Sequence, residues 1–193
     1  MQATERKRYP PYGKMRVVAD EAAAAVHEQL QNVKYSDWVP LGARFTEIPL
    51  AVRKPDKKLQ AWAKEVLARP EDAPQNHVRE RIYAQRTLDL ATWPDQLACP
   101  LQAFRLGDLG VVAIPFEVFT ETGLEIKDRT PFARSFTISL ANGAYGYLPT
   151  RKQHALGGYE TWLGTSRVEV EAAHKISDTL VELLEDLHGG QPK

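Results

Sequence analysis

"CPLQAFRLGDLGVVAIP" occupies residues 99–115. Two apolar runs are divided by Gly107-Asp108, with Gly110 close behind, a pattern that predicts a β-hairpin. The next stretch, "FEVFTETGLEIKD" (116–128), switches to helical spacing, with Val118, Phe119, Thr122 and Ile126 facing inward. "FARSFTISLANG" (132–143) returns to a strand and stops at Asn142-Gly143. A hairpin, a helix and a further strand in this order predict a mixed β-sheet flanked by helices. The class is α/β, with α+β as the alternative.

Working outward, "ARFTEIPLAVR" (43–53) alternates at Phe45, Ile48 and Leu50, and Pro49 puts it near a sheet edge. "PDKKLQAWAKEVLAR" (55–69) opens with Pro55 and Asp56, a helix start, and carries a core stripe of Leu59, Trp62, Ala63, Val66 and Leu67. A second helix is expected over 76–92, with Val78, Ile82, Ala84, Gln85 and Leu88 along it. Its Arg79, Arg81 and Arg86 read as a solvated face or as an anion-holding group. "MRVVADEAAAAVHEQLQNV" (15–33) is alanine-rich and helix-forming. Its Val18, Ala22, Ala25 and Val26 share a face suited to packing on a sheet, and His27 reads as a surface histidine. Residues 167–188 predict an amphipathic helix through Val170, Ala173, Ile176, Leu180, Val181 and Leu184, stopped by Gly189-Gly190. One domain over 15–188 is expected, with 1–14 a linker or truncated edge and 189–193 a tail.

The 193 residues carry 25 basic and 25 acidic side chains, so charge recommends neither nucleic acid nor an anionic membrane as partner. No apolar run reaches the roughly 18–20 residues of a membrane span. The start lacks the apolar stretch of a secretory signal, so the chain as written reads as cytoplasmic. Cys99 is the single cysteine; it precludes an internal disulfide and a cysteine zinc cage, and reads as a buried structural thiol. There is no phosphate loop, no His-Glu-x-x-His and no nucleophile elbow.

Three features stand out. Glu117 follows an apolar strand and Pro115, where an inward carboxylate needs a partner or a metal, unless it only complements a helix start. "LANGAYGYLPT" (140–150) puts Tyr145 and Tyr147 past a strand end among small residues, and "GGYETW" (157–162) offers Tyr159 and Glu160 behind two glycines.

With "VVAIPFEVFTETG", "LANGAYGYLPT" and "GGYETW" at these intervals, residues 15–187 resemble part of the neutral/alkaline non-lysosomal ceramidase family, especially its bacterial members. The resemblance covers the C-terminal half of the catalytic domain. It implies that Glu117 and Tyr147 are zinc ligands and that Tyr159 is a catalytic residue near the scissile group, with Phe116 replacing a family glycine. It implies hydrolysis of an N-acyl amide, a lipid amide among the substrates. Two zinc histidines and a serine come from the N-terminal half in that family, so activity is expected to need that missing half, on a second chain or otherwise supplied. His154 or a second subunit is a further candidate for completing the metal shell. Two other readings are a non-catalytic half-domain that oligomerises or binds a partner through an apolar face, and a small-molecule module using Arg79, Arg81 and Arg86.

Overall fold

The computed structural model describes residues 8–190, so the linker reading of 1–7 and the tail reading of 191–193 lie outside the described residues. The chain divides into two compact units, Met1–Val39 and Pro40–Lys193. The first holds helix α1 (Gly13–Leu30), which forms where alanine content predicts it but buries none of its residues. A run of alanines makes a helix by propensity without supplying large side chains to bury.

The second unit is a mixed sheet with helices. In chain order it contains β1 (Leu41–Ala51), α2 (Lys57–Ala68), α3 (Glu80–Thr92), β2 (Gln96–Leu106), β3 (Leu109–Ile114), β4 (Glu117–Val118), α4 (Thr120–Arg129), β5 (Arg134–Ser139), β6 (Tyr147–Leu148), α5 (Arg151–Leu156), a 3-10 turn at Tyr159–Thr161 and α6 (Ala172–Gly189). The main sheet runs β1-β2-β3-β5, and β4-β6 form a small second sheet. The β2–β3 hairpin closes at Gly107-Asp108, with Leu106 opposite Leu109. β1 lies antiparallel to β2, as an edge strand, which tolerates Pro49. β5 lies parallel to β3, and α4 serves as the crossover that a parallel pair requires. The α/β class thus follows from the stretch around the hairpin.

The core sits between the sheet and α6, which packs on β1, β2 and α4. Ile176, Leu180 and Leu184 stand one helical turn apart on α6 and are fully buried. Each contributes about 1.5–3 kcal/mol by leaving water. Gly110 faces this core; a Cβ there would lie 2.9 Å from the Phe132 ring and 3.1 Å from the Leu184 side chain, so a larger residue would force both to shift. Cys99 is buried in the same core, and burial pushes its thiol up to about 12, as a structural thiol requires. A smaller core joins α2 and α3 through Ala63, Val66 and Ala84. Asp56 caps α2 by accepting from the Leu59 amide at 2.7 Å.

Two local expectations change. Val118 lies in β4 and Phe119 caps α4, so only Thr122 and Ile126 of the expected inward set are buried within that helix. On α3 the buried face is Tyr83, Ala84, Thr87 and Leu90, whereas Val78 and Ile82 are exposed. The opposite face of the main sheet carries Phe45 and Ile138 on one cross-strand line and Phe136 on the next, and all three are exposed.

Candidate functional site

The β4–β6 sheet is two residues wide on each strand, and its register sets Glu117 beside Tyr147. Its backbone is held at many points. Glu117 N–H donates to Gly146 O at 2.9 Å, Tyr147 N–H to Thr165 O at 3.0 Å, and Tyr145 N–H to Pro115 O at 2.9 Å. Ser139 bridges the turn, its hydroxyl donating to Phe116 O at 2.8 Å and accepting from Val118 N–H at 3.2 Å. Gly146 has φ 101°, and a Cβ there would stand 2.4 Å from Thr165 O. Only glycine lets β6 approach that carbonyl.

Phe116 points away from this surface. It is fully buried in the main core and meets Tyr145 edge-on with ring centroids 5.6 Å apart. The strand's alternation thus sends Phe116 inward and leaves Glu117 half-buried at the surface. A bulky residue at 116 therefore fills the core and does not crowd Glu117.

Interaction of the Tyr147 phenol with the neighbouring Glu117 carboxylate above all, then burial, holds the phenol's pKa above its ordinary value. The ring of Tyr159 packs edge-on against Tyr147 at 5.9 Å, so the three residues singled out in the sequence converge. Tyr159 is in turn surrounded. Arg79 lies over its ring at 4.8 Å, Trp162 meets it at 5.8 Å and Tyr83 at 6.4 Å. The half-buried Arg53 braces the turn that carries Tyr159, donating to Thr161 O at 2.9 Å and Ser166 O at 3.2 Å. His154 is held below its ordinary pKa by burial and by the positive charge of Arg53, so its imidazole is neutral at pH 7.

The arginines of α3 and its approach do not form an anion cradle. Arg81 donates to the Val66 and Arg69 carbonyls at the end of α2, while Arg79 and Arg86 lie over Tyr159 and Tyr83 respectively. Tyr83 and Trp162 were not singled out as site residues, and Arg79 was read as part of an arginine group and not as a partner of Tyr159. The available signal was the tryptophan closing "GGYETW" and a tyrosine on the α3 face opposite Ile82.

At Glu117 and Tyr147 the chain offers two oxygen donors, whereas a zinc ion takes three or four ligands from protein. This fits one side of a coordination shell and does not make a zinc site by itself. Elsewhere Glu125, His174 and Asp178 each bring one ligand atom within 4.8 Å of the others, a group able to hold a metal. There Arg129 already pairs with Glu125 at 2.8 Å and with Asp178 at 2.7 Å.

No protein-family model matches the chain, and no curated protein matches it. Among solved structures, the neutral ceramidase from Pseudomonas aeruginosa aligns with a TM-score of 0.52 at 16% identity, over 79% of this chain and 29% of the ceramidase. A ceramidase complexed with C2 aligns with a TM-score of 0.49 at 16% identity, over 77% and 30% of the two chains. The likeness is one of fold, and the chain spans less than a third of the length of these enzymes.

Proposed function

We propose that this chain supplies one side of the active site of a zinc-dependent amide hydrolase resembling neutral ceramidase, acting on N-acyl amides, lipid amides among them. The observation that carries the reading is the convergence of Glu117, Tyr147 and Tyr159 on one small, rigidly held sheet and turn. Glu117 and Tyr147 are the residues that would hold the metal, with the remaining donors coming from polypeptide beyond residues 1–193 or from a second chain. The Glu117 carboxylate beside it favours the protonated phenol of Tyr147, so a metal bound by both would take the place of that proton. Tyr159 is oriented by Arg79, Tyr83 and Trp162, and its phenol would donate to the carbonyl oxygen of an amide brought to Glu117. Two oxygen donors fall short of the three or four protein ligands that zinc takes, so the chain by itself is expected to be inactive.

The exposed sheet face with Phe45, Phe136 and Ile138 favours the companion reading, in which further polypeptide or a second copy covers it. In that reading the covering layer and the missing half of the site arrive together.

The test is a calorimetric zinc titration of the chain beside Glu117→Gln and Tyr147→Phe. Weak binding is expected for the parent and about tenfold or greater loss in Glu117→Gln. Identical titrations for all three proteins would overturn the assignment.

A further inference from the structure

Helices α4 and α6 lie on one face of the main sheet. Gly123 of α4 stands against Thr137, while Leu184 and Leu187 of α6 stand against Gly110 and Gly42. Side chains alternate along a strand, so the neighbouring positions of β1, β2 and β5 point to the other face. There Leu41, Phe45, Leu106, Phe136 and Ile138 are 42–70% exposed, and Phe104 is half-buried in the row of Phe136. Four strands at about 4.8 Å spacing and six residues at about 3.3 Å give a field of roughly 20 by 20 Å, or about 400 Å². An exposed apolar patch on that scale marks an interaction surface.

The register places two charges at the corners of this field. Arg134 opens β5 at one edge, in the cross-strand row of Leu41, Leu106 and Leu109. Glu47 lies on β1 at the other edge, six residues beyond Leu41 and opposite Pro100. The two occupy diagonally opposite corners of the same face. Both are exposed, and among the described residues neither forms an ion pair. Between them, Gln102 accepts from Asn142 Nδ2 at 2.7 Å, so its amide oxygen already has a partner.

An apolar field with one positive and one negative corner is complementary to itself. A second copy laid face to face, about a twofold axis along the other diagonal, sets Arg134 over the partner's Glu47 and Glu47 over the partner's Arg134. The strands of the two sheets then cross near a right angle, one of the two arrangements that packed sheets adopt. An axis along or across the strands would instead set one of these charges over the partner's Leu41, burying it unpaired. Deepening the companion reading of the proposed function, on which it rests, we infer that this face is the interface of a symmetric dimer of the chain. Phe45, Phe136 and Ile138 form its apolar centre, and the two Arg134–Glu47 pairs fix its orientation. A patch of this size suits micromolar association rather than an obligate complex.

The experiment is sedimentation equilibrium of the full chain in EDTA, between about 1 and 100 μM. A dimer that dissociates in the micromolar range is expected, and Phe45→Lys should be monomeric throughout. Arg134→Glu alone, or Glu47→Arg alone, sets like charges face to face at both corners and should weaken the dimer about tenfold. The double variant, Glu47→Arg with Arg134→Glu, should return to within about threefold of the parent. Circular dichroism spectra and melting curves matching the parent would show that Phe45→Lys still folds, and recovery in the double variant shows it for the charge reversals. A parent that stays monomeric at the highest concentration would overturn the inference and leave the face to further polypeptide. A dimer indifferent to the single reversals, or not restored by the double variant, would overturn it as well. Because zinc is excluded, failure here leaves the metal reading standing, and failure of the zinc titration leaves the dimer standing.

Discussion

Two places in this molecule gather ligand-type side chains, and they differ in what else is present. At Glu125, His174 and Asp178 the donor count is better, a carboxylate pair with an imidazole between α4 and α6. Yet Arg129 supplies a fixed positive charge to both carboxylates, and His174 lies 3.4 Å from Asp178, so the cluster is an ion-pair network on a helix surface. At Glu117 and Tyr147 the count is poorer, but among the described residues no cation is paired with Glu117, and the backbone is pinned. Proximity of ligands is common on charged helix surfaces. A prepared site is distinguished by an uncompensated charge held on rigid backbone.

The most severe way to disturb the contrast is to remove what holds β4. Phe116→Ala empties a fully buried aromatic position and should cost about 3–5 kcal/mol in urea denaturation. Zinc affinity dependent on Glu117 should disappear with it. Gly146→Ala should cost about 1–3 kcal/mol, because the new Cβ meets Thr165 O in a left-handed conformation. A variant as stable as the parent would mean that β6 is not seated as described.

Arg129→Met sharpens the other side of the comparison. These pairs are about one-third exposed, so the stability loss should stay under about 1 kcal/mol. Freed of the guanidinium, Glu125 and Asp178 should gain a weak divalent affinity that His174→Ala removes. An unchanged titration would show that Arg129 is not what keeps a metal out.

The smallest expected effect concerns pH at Glu80. Hydrogen bonds from Asn76 hold Glu80 below the ordinary carboxylate value, with Arg69 adding to the effect. A depressed folded-state pKa stabilises above the unfolded value, about 4.3, and that stability is lost as pH falls through the lower folded value. Asn76→Ala should therefore lower Tm at pH 6 and flatten its fall between pH 5 and pH 3. Parallel Tm curves for variant and parent would contradict the role given to Asn76.

Much of this was legible in the residues themselves. Gly107-Asp108 between apolar runs announced the hairpin, Pro55-Asp56 announced α2, and the stripe through Ile176, Leu180 and Leu184 announced α6, because each signal is local and periodic. The convergence of Glu117, Tyr147 and Tyr159 came from a family resemblance, since a two-residue parallel pair has no periodicity to read. The inward turn of Phe116 and the hold of Arg129 on two helices depend on residues far apart in sequence. Helix α1 was legible too, because a run of alanines favours a helix by local propensity.

The most direct test is anomalous diffraction at the zinc edge from crystals of this chain soaked in zinc. The account predicts a peak between the Glu117 carboxylate and the Tyr147 phenolic oxygen, with water completing the shell. A peak confined to Glu125, His174 and Asp178, with nothing at Glu117, would contradict it.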